Sequence, residues 1–236
     1  MWAGARAQER GAASPRFEAI DFAVDELGIQ SFADLDMGPL GKHAFYAMDK
    51  PTVRHGVLAD ARRTRPRDQL VSAIEHAAER PGMRIVDGDV FDPATVAEIG
   101  DVDGIFMFNL LLHTVAPDWD RVLELYAPTT RSFVIANPQW QEGERTVRLI
   151  DLGRDRFLGA VPASERHRLL FDRLHEWHSG ESRPHRDAMS VWQWGITDGA
   201  LTRKLEALGF RLVYDRDHGQ FPGAAGFVSK TFVFRR

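Results

Sequence analysis

The stretch from Ser31 to Asp49, SFADLDMGPLGKHAFYAMD, combines the residue types that a polar ligand requires. A short apolar run ends in acidic residues, a glycine-bearing turn follows, and a helix of small residues then begins. This order predicts a strand, a tight loop facing a ligand, and a helix N-terminus whose backbone N–H groups have no partner within the helix. If Asp60 closes the next strand, the chain opens with half of a nucleotide-type fold.

Three carboxylates in this region are candidates for ligand contact. Asp34 and Asp36 lie at the end of the first apolar run, and Asp60 follows VRHGVL directly. We expect one acid of the first pair to face the ligand and the other to accept loop N–H groups, although a functional pair is the alternative. Asp60 has no obvious packing role, which favours ligand binding over the alternative of helix capping.

Histidines supply the candidate general bases. His113 follows a central apolar run, where a neutral imidazole can take a proton from a bound acceptor. His175 and His178, in HEWH, are three residues apart, and His185 is near them in sequence. On a helix the first two would share a face and could form a metal pair. Because no carboxylate-rich set accompanies them, we expect no metal and interpret them as a substrate-facing base or a surface pair.

Composition excludes several classes of protein. The chain has 236 residues, a net charge of −4 and no cysteine, so disulfides, thiolate metal sites and cysteine nucleophiles are excluded. The net charge offers no broad basic face to nucleic acid or to a membrane surface. The N-terminus lacks the apolar core of a signal peptide, and no apolar run is long enough to span a bilayer. We therefore expect a cytoplasmic protein without nucleic-acid or membrane partners.

Hydrophobic periodicity predicts the elements that position these residues. Strands alternate with helices for more than a hundred residues, which is typical of a doubly wound parallel sheet. We expect strands over 31–36, 53–60, 83–86, 102–112, 132–137, 210–214 and 227–234, and helices over 17–27, 43–49, 67–80, 93–99, 119–126, 165–177 and 197–208. The last two strands can form an antiparallel pair.

The domain organisation follows from these elements and from composition. Residues 1–15, rich in Ala, Gly and Arg, are predicted to be a mobile tail, and 16–236 a single domain. The regular alternation stops over 138–195, which holds most of the tryptophans. We interpret this stretch as an insertion.

In this order the motifs resemble those of the class I S-adenosylmethionine-dependent methyltransferases. The resemblance rests on ADLDMGPLG after the first strand, Asp60 after the second, GDVFDP after the third and FMFNLLLH at the end of the fourth. It covers about 17–137 and 196–236. It implies a Rossmann-like, mostly parallel seven-stranded sheet with helices on both faces and an antiparallel C-terminal strand.

The resemblance also implies a role for each matching residue. The cofactor would be S-adenosylmethionine, with Asp60 on its ribose hydroxyls, Asp89 and the backbone of Val90 at the adenine, and Asn109 beside the sulfonium. The cofactor-binding set that we predict is Asp34, Gly38, Gly41, Lys42, Asp60, Asp89, Val90 and Asn109. The loop departs from the family pattern, because Asp36 and Leu40 occupy two positions that are usually glycine.

Three tryptophans fall near the expected mouth of the cofactor site. Trp140 follows the fifth strand, and Trp192 and Trp194 precede the last helix. They can pack a satellite core, but we also predict that they stack on a substrate. The stretch 138–195 would then be a lid over the acceptor.

We therefore predict an enzyme that methylates a hydroxyl of a small metabolite, such as a sugar or natural product, with His113, His175 and His178 as candidate catalytic residues. The alternative is a degenerate methyltransferase-fold protein that acts as a binding or oligomerising partner. A nicotinamide-dependent enzyme is disfavoured, because it requires a regular G-x-G-x-x-G loop. The sequence leaves a homodimer open.

Overall fold

A computed structural model describes residues 15–35, 41–60, 74–179 and 183–236. The predicted N-terminal tail lies outside the described residues as far as residue 14. The same applies to 36–40 of the predicted glycine loop and to 67–73 of the predicted third helix.

Seven strands form one sheet in the order β3-β2-β1-β4-β5-β9-β8. They are β1 (Ser31–Leu35), β2 (His55–Asp60), β3 (Met83–Asp87), β4 (Val102–Phe108), β5 (Thr130–Trp140), β8 (Arg211–Gln220) and β9 (Phe227–Arg235). The pairings from β3 to β5 are parallel, whereas β9 runs antiparallel to both β5 and β8. The predicted mostly parallel seven-stranded sheet with an antiparallel C-terminal strand is confirmed.

Helices cover both faces of this sheet. On one face lie α1 (Pro15–Asp21), which continues as a π-helical turn over Phe22–Glu26, α2 (Lys42–Met48) and α3 (74–78); on the other lie α4 (Pro93–Ile99), α5 (Trp119–Tyr126) and α8 (Asp198–Ala207). Each face therefore has its own buried apolar cluster, as expected for a doubly wound sheet.

Strand β4 is the centre of the sheet and is buried on both sides. Ile105 and Met107 belong to the cluster under α4, α5 and α8, whereas Phe106 packs into the opposite cluster, where it stacks on Phe32 at 4.7 Å. The strand ends at Phe108, four residues earlier than predicted. Asn109 has φ +59°, which takes the chain out of the extended conformation.

Strand β5 is longer than predicted. Residues 138–140, which we assigned to the insertion, continue the strand and pair with β9 as far as Trp140 opposite Phe227. The strand therefore continues beyond the end of the apolar run SFVIA, because antiparallel pairing with β9 extends β5 through the sequence NPQW.

The rest of the predicted insertion is a small subassembly beside the sheet. It contains β6 (Val147–Arg148), which pairs with β7 (Trp194–Gly195), a 3₁₀ turn over Leu149–Leu152, and the helices α6 (Arg154–Ala160) and α7 (Glu165–Leu170). A third buried cluster, which includes Trp140, Phe157 and Trp192, holds it to the ends of β5 and β9. None of the helices in the described part of the chain is long and apolar enough to span a bilayer.

Candidate active site at the carboxyl edge of the sheet

Buried carboxylates lie at the carboxyl ends of β1 and β2. Asp34 is 2% exposed and pairs in register with Leu58 of β2 and Phe106 of β4, while Asp60 is 5% exposed and is the last residue of β2. Removing a carboxylate from water costs several kcal/mol unless it is partnered, and neither of these is without an interaction. Two acids are therefore held at the edge where an open parallel sheet binds its ligands.

Gly41 and Lys42 form the described part of the predicted glycine loop. Gly41 has φ +62°, a conformation that L side chains rarely adopt, and it caps α2, which begins at Lys42. A Cβ at this position would lie 3.3 Å from side-chain carbons of Leu58 and Phe45. Both the backbone conformation and the close approach therefore favour glycine here. Gly38, with Asp36 and Leu40, lies outside the described residues.

The turn after β3 holds Asp89 and Val90. The Asp89 carboxylate accepts the N–H of Phe91 at 3.0 Å, and the Val90 carbonyl accepts the hydroxyl of Tyr126 at 2.7 Å. Burial raises the pKa of Tyr126, with a further contribution from the charge of Asp89. The phenol therefore stays protonated and keeps donating to Val90, which fixes this turn against α5.

Asn109 follows β4 in a strained conformation. Its φ of +59° is unusual for a residue other than glycine, and its N–H donates to the carbonyl of Ala136 in β5 at 2.7 Å. A left-handed conformation costs an L-residue roughly 1–2 kcal/mol, and such strain concentrates at functional sites. The half-buried Asn109 side chain thus starts from a backbone that is fixed to β5 just after the end of β4.

His113 is held by the subassembly beside the sheet. Its Nδ1 lies 2.8 Å from the carbonyl oxygen of Val191. Because a carbonyl can only accept, Nδ1 carries the hydrogen and Nε2 of the neutral ring has a lone pair. This is the tautomer that a general base at Nε2 requires.

Further bonds join the segment after β4 to the stretch before α8. The Gln193 N–H donates to the Leu112 carbonyl at 2.9 Å, and the Trp194 indole N–H donates to the Thr114 carbonyl at 2.7 Å. Arg183 reaches the carbonyl of Val115 at 3.1 Å. Hydrogen bonds to the carbonyls on both sides of His113 therefore fix the segment 112–115 that contains it.

The three predicted substrate-binding tryptophans occupy different environments. Trp140 and Trp192 are 4% and 8% exposed and both pack on Phe227. Trp140 lies so close to Gly195 and Gly226 that a Cβ on either glycine would be within 2.9 Å of its ring. Trp194 is half-buried. Packing accounts for the first two, and substrate stacking stays a prediction for all three.

His175 and His178 do not share a helical face, so the prediction of a helix through both residues was wrong. Helix α7 ends at Leu170, and the residues after it form turns that lead into a β-bridge between Trp177 and Pro184. His175 is exposed, whereas the ring of His178 packs edge-on against His185 at 4.9 Å. Apolar residues of 165–177 pack against the third cluster from α7 and from the turns after it, so their spacing does not require a continuous helix.

Two kinds of polar residue near this edge were missed by sequence reasoning. His43, the second residue of α2, is 5% exposed between the rings of Phe17 and Phe108, and burial with the charges of Arg16 and Lys42 lowers its pKa to about 2. The imidazole is therefore neutral at any working pH. Its position two residues after Gly41, in GKHAF, was the available signal.

The second kind is a group of buried amides. Asn137 and Gln139 in β5 and Gln193 before β7 are at most 2% exposed, and each has a side-chain N or O atom without a hydrogen-bond partner among the described residues. Gln139 has none at either atom. The alternate positions 137 and 139, on the same face of a strand end, were the signal for the first two. Among the described residues, no group of three or more His, Cys, Asp or Glu side chains is placed to hold a metal ion.

Neither the protein-family models nor the curated proteins compared with this sequence match it. Solved structures do match the fold. The N-terminal domain of EvdMO1, crystallised in the presence of SAH (S-adenosylhomocysteine) and D-fucose, matches with a TM-score of 0.58 at 15% identity, over 95% of this chain and 83% of that chain.

Two other solved structures match to a similar degree. An O-methyltransferase family protein from Burkholderia thailandensis gives a TM-score of 0.58 at 15% identity, over 95% of this chain and 56% of that chain. The small RNA methyltransferase HEN1 gives 0.56 at 14%, over 94% of this chain and 25% of that chain. The chain therefore has the class I methyltransferase fold.

Proposed function

We propose that this protein is an S-adenosylmethionine-dependent methyltransferase that methylates a hydroxyl oxygen of a small metabolite. The observation that carries the proposal is the buried carboxylate of Asp60 at the end of β2, in a sheet with the strand order of the methyltransferase fold. The presence of SAH in a structure with the same fold supports this choice of cofactor.

The residues at the carboxyl edge have the chemistry that this cofactor requires. The two oxygens of Asp60 can accept hydrogen bonds from both hydroxyls of a ribose. Because the Val90 carbonyl is engaged by Tyr126, Val90 would contribute its N–H to an adenine edge, and Asp89 would contribute its exposed carboxylate.

When bound, the cofactor would supply an electrophilic methyl group on a sulfonium, and its transfer to an acceptor hydroxyl would break the carbon–sulfur bond, leave the electron pair on sulfur and release the hydroxyl proton. We assign His113 the task of taking the acceptor's proton on Nε2, since the bond from Nδ1 to the Val191 carbonyl favours the neutral tautomer whose lone pair is on Nε2. Asn109 would position the reacting groups beside it.

Positioning and exclusion of water carry most of the rate in such a transfer, so few dedicated catalytic groups are needed. The subassembly within 138–195 would serve this purpose as the acceptor lid, because the third cluster holds it against the ends of β5 and β9. The net charge of −4 favours a small molecule over nucleic acid as the acceptor.

Calorimetry with S-adenosylhomocysteine tests the proposal. We expect saturable binding, and no binding at millimolar ligand would reject the enzyme in favour of a degenerate binding protein. In methyl transfer with a labelled donor, His113→Ala should lower turnover by a factor of about 10² or more while leaving affinity for the donor unchanged. Full turnover of the variant would exclude His113 as the base.

A further inference from the structure

A second cleft lies in the subassembly beside the sheet, and it is lined by Val191, whose carbonyl oxygen is 2.8 Å from Nδ1 of His113. Its volume is about 160 Å³. Arg166, Leu169, Leu170 and Arg173 form one wall, His178 and His185 a second, and Ala188, Ser190 and Val191 a third. We call this the basic cleft.

The described residues that line the basic cleft carry charge of one sign only. None of the described residues that line it is acidic. Arg166 makes no ion pair within the described part of the chain. Arg173 binds Glu176 through Nε at 2.6 Å, and its two terminal guanidinium nitrogens make no ion pair with any described residue. Two arginines, two histidines and Ser190 therefore line the same cleft.

The two arginines are placed there by the local fold. Arg166 lies in α7, whereas Arg173 lies in the turns that follow the end of this helix, with Leu169 and Leu170 between them in the chain. Leu170 is buried in the third cluster and Leu169 is 52% exposed, and both line the cleft beside the two arginines. Long cationic side chains commonly pack in this way while their charged heads stay in water.

We propose that the basic cleft binds a phosphate group carried by the methyl acceptor, an inference that rests on the proposed function. Guanidinium groups form bidentate, charge-assisted hydrogen bonds with phosphate oxygens, and several converging donors suit a group with many acceptor atoms. The Val191 carbonyl that holds His113 also belongs to the wall of the cleft. Val191 would therefore lie between a phosphate bound in the cleft and the proposed base, His113.

The size of the basic cleft fits a substituent rather than a whole acceptor. Pockets for complete small-molecule ligands usually measure roughly 300–1,000 Å³. At about 160 Å³ this cleft is smaller, so the rest of the acceptor must extend out of it. The acceptor class is therefore a phosphorylated, hydroxylated metabolite such as a sugar phosphate.

Calorimetry with inorganic phosphate and with glucose 6-phosphate tests this on the full chain. We expect Arg166→Gln to weaken binding of both probes by at least about tenfold, the scale of a lost charge-assisted bond. Arg168→Gln is the matched control, since Arg168 is exposed on α7 and does not line the cleft. Equal binding by the two variants, or no binding of either probe to the unaltered protein, would overturn the proposal.

The two probes also separate the sources of the phosphate. If the phosphate belongs to the acceptor, glucose 6-phosphate binds more tightly than inorganic phosphate and glucose alone binds more weakly than either. Inorganic phosphate binding as tightly as the sugar phosphate would contradict this assignment and indicate a separate anion site. Loss of phosphate binding in Arg166→Gln together with absent SAH binding would reject the methyltransferase while keeping the anion site.

Discussion

The carboxyl ends of β1 and β2 and the subassembly beyond β5 are built in different ways. At the first, Asp34, Gly41 and Asp60 come from short adjacent stretches and are placed by strand ends. At the second, His113, Val191 and the tryptophans come from segments about eighty residues apart and are placed by contacts between loops. The proposed donor site therefore depends on the sheet, and the proposed acceptor site on a separate cluster.

This difference predicts that a substitution in the third cluster lowers stability without weakening binding of SAH at the proposed donor site. The largest change in the free energy of unfolding should come from the third cluster. Trp140→Ala removes a 4% exposed ring between Phe227 and two close glycines. We expect it to lower the free energy of unfolding by about 3–5 kcal/mol in a denaturant titration.

Trp177 provides the control for this variant. It is 69% exposed, so Trp177→Ala should change the free energy of unfolding by no more than about 0.5 kcal/mol. If the regions are independent, folded Trp140→Ala protein keeps the SAH affinity of the unaltered chain. A loss of affinity as large as its loss of stability would contradict the separation.

The next effect concerns the carboxylate of β2. Asp60→Ala should weaken SAH binding by about 1–3 kcal/mol, because a charge-assisted acceptor for the ribose is removed. Asp87→Ala is the matched control, since Asp87 is exposed and is the register partner of Asp60 in β3. Equal affinities of the two variants by calorimetry would refute the role of Asp60.

The smallest effect tests the buried imidazole beside the glycine loop. Burial lowers the pKa of His43 to about 2, whereas an unfolded chain protonates it near its usual 6.5. The unfolded state therefore binds one more proton between these values, so stability is complete above pH 6.5 and falls as the pH decreases, by up to about 1.4 kcal/mol per unit.

His43→Leu removes this proton uptake. In denaturant titrations between about pH 4.5 and 6.5, its free energy of unfolding should decline less steeply than that of the unaltered protein. The exposed His175 supplies the control, since His175→Leu should keep the original slope. Identical slopes for all three proteins would show that His43 is not buried as a neutral ring.

The same contrast explains what the sequence could predict. The sheet and the positions of Asp34 and Asp60 followed from apolar runs and the acids that end them, because periodicity and strand ends are local features. The end of β4 before Asn109 did not follow in this way, since the apolar run continues to Leu112. The 3₁₀ turn that carries His113 and the end of α7 at Leu170 were not predictable in this way. They depend on bonds to Val191 and on packing in the third cluster, which connect residues far apart in sequence.

Buried polar residues show the same limit. The apolar surroundings of His43 come from Phe17 in α1 and Phe108 in β4, so no local pattern identifies it as buried. Gln139 lies in a strand whose last residues are held by antiparallel pairing with β9. Its burial follows from that pairing rather than from its neighbours in the chain.

A crystal structure of the protein with S-adenosylhomocysteine tests the central claim most directly. We expect the ligand at the carboxyl edge of the sheet, with its ribose hydroxyls on the carboxylate of Asp60, its adenine beside Val90 and its sulfur facing Asn109. A ligand bound elsewhere, or one at this edge whose ribose makes no contact with Asp60, would contradict the account.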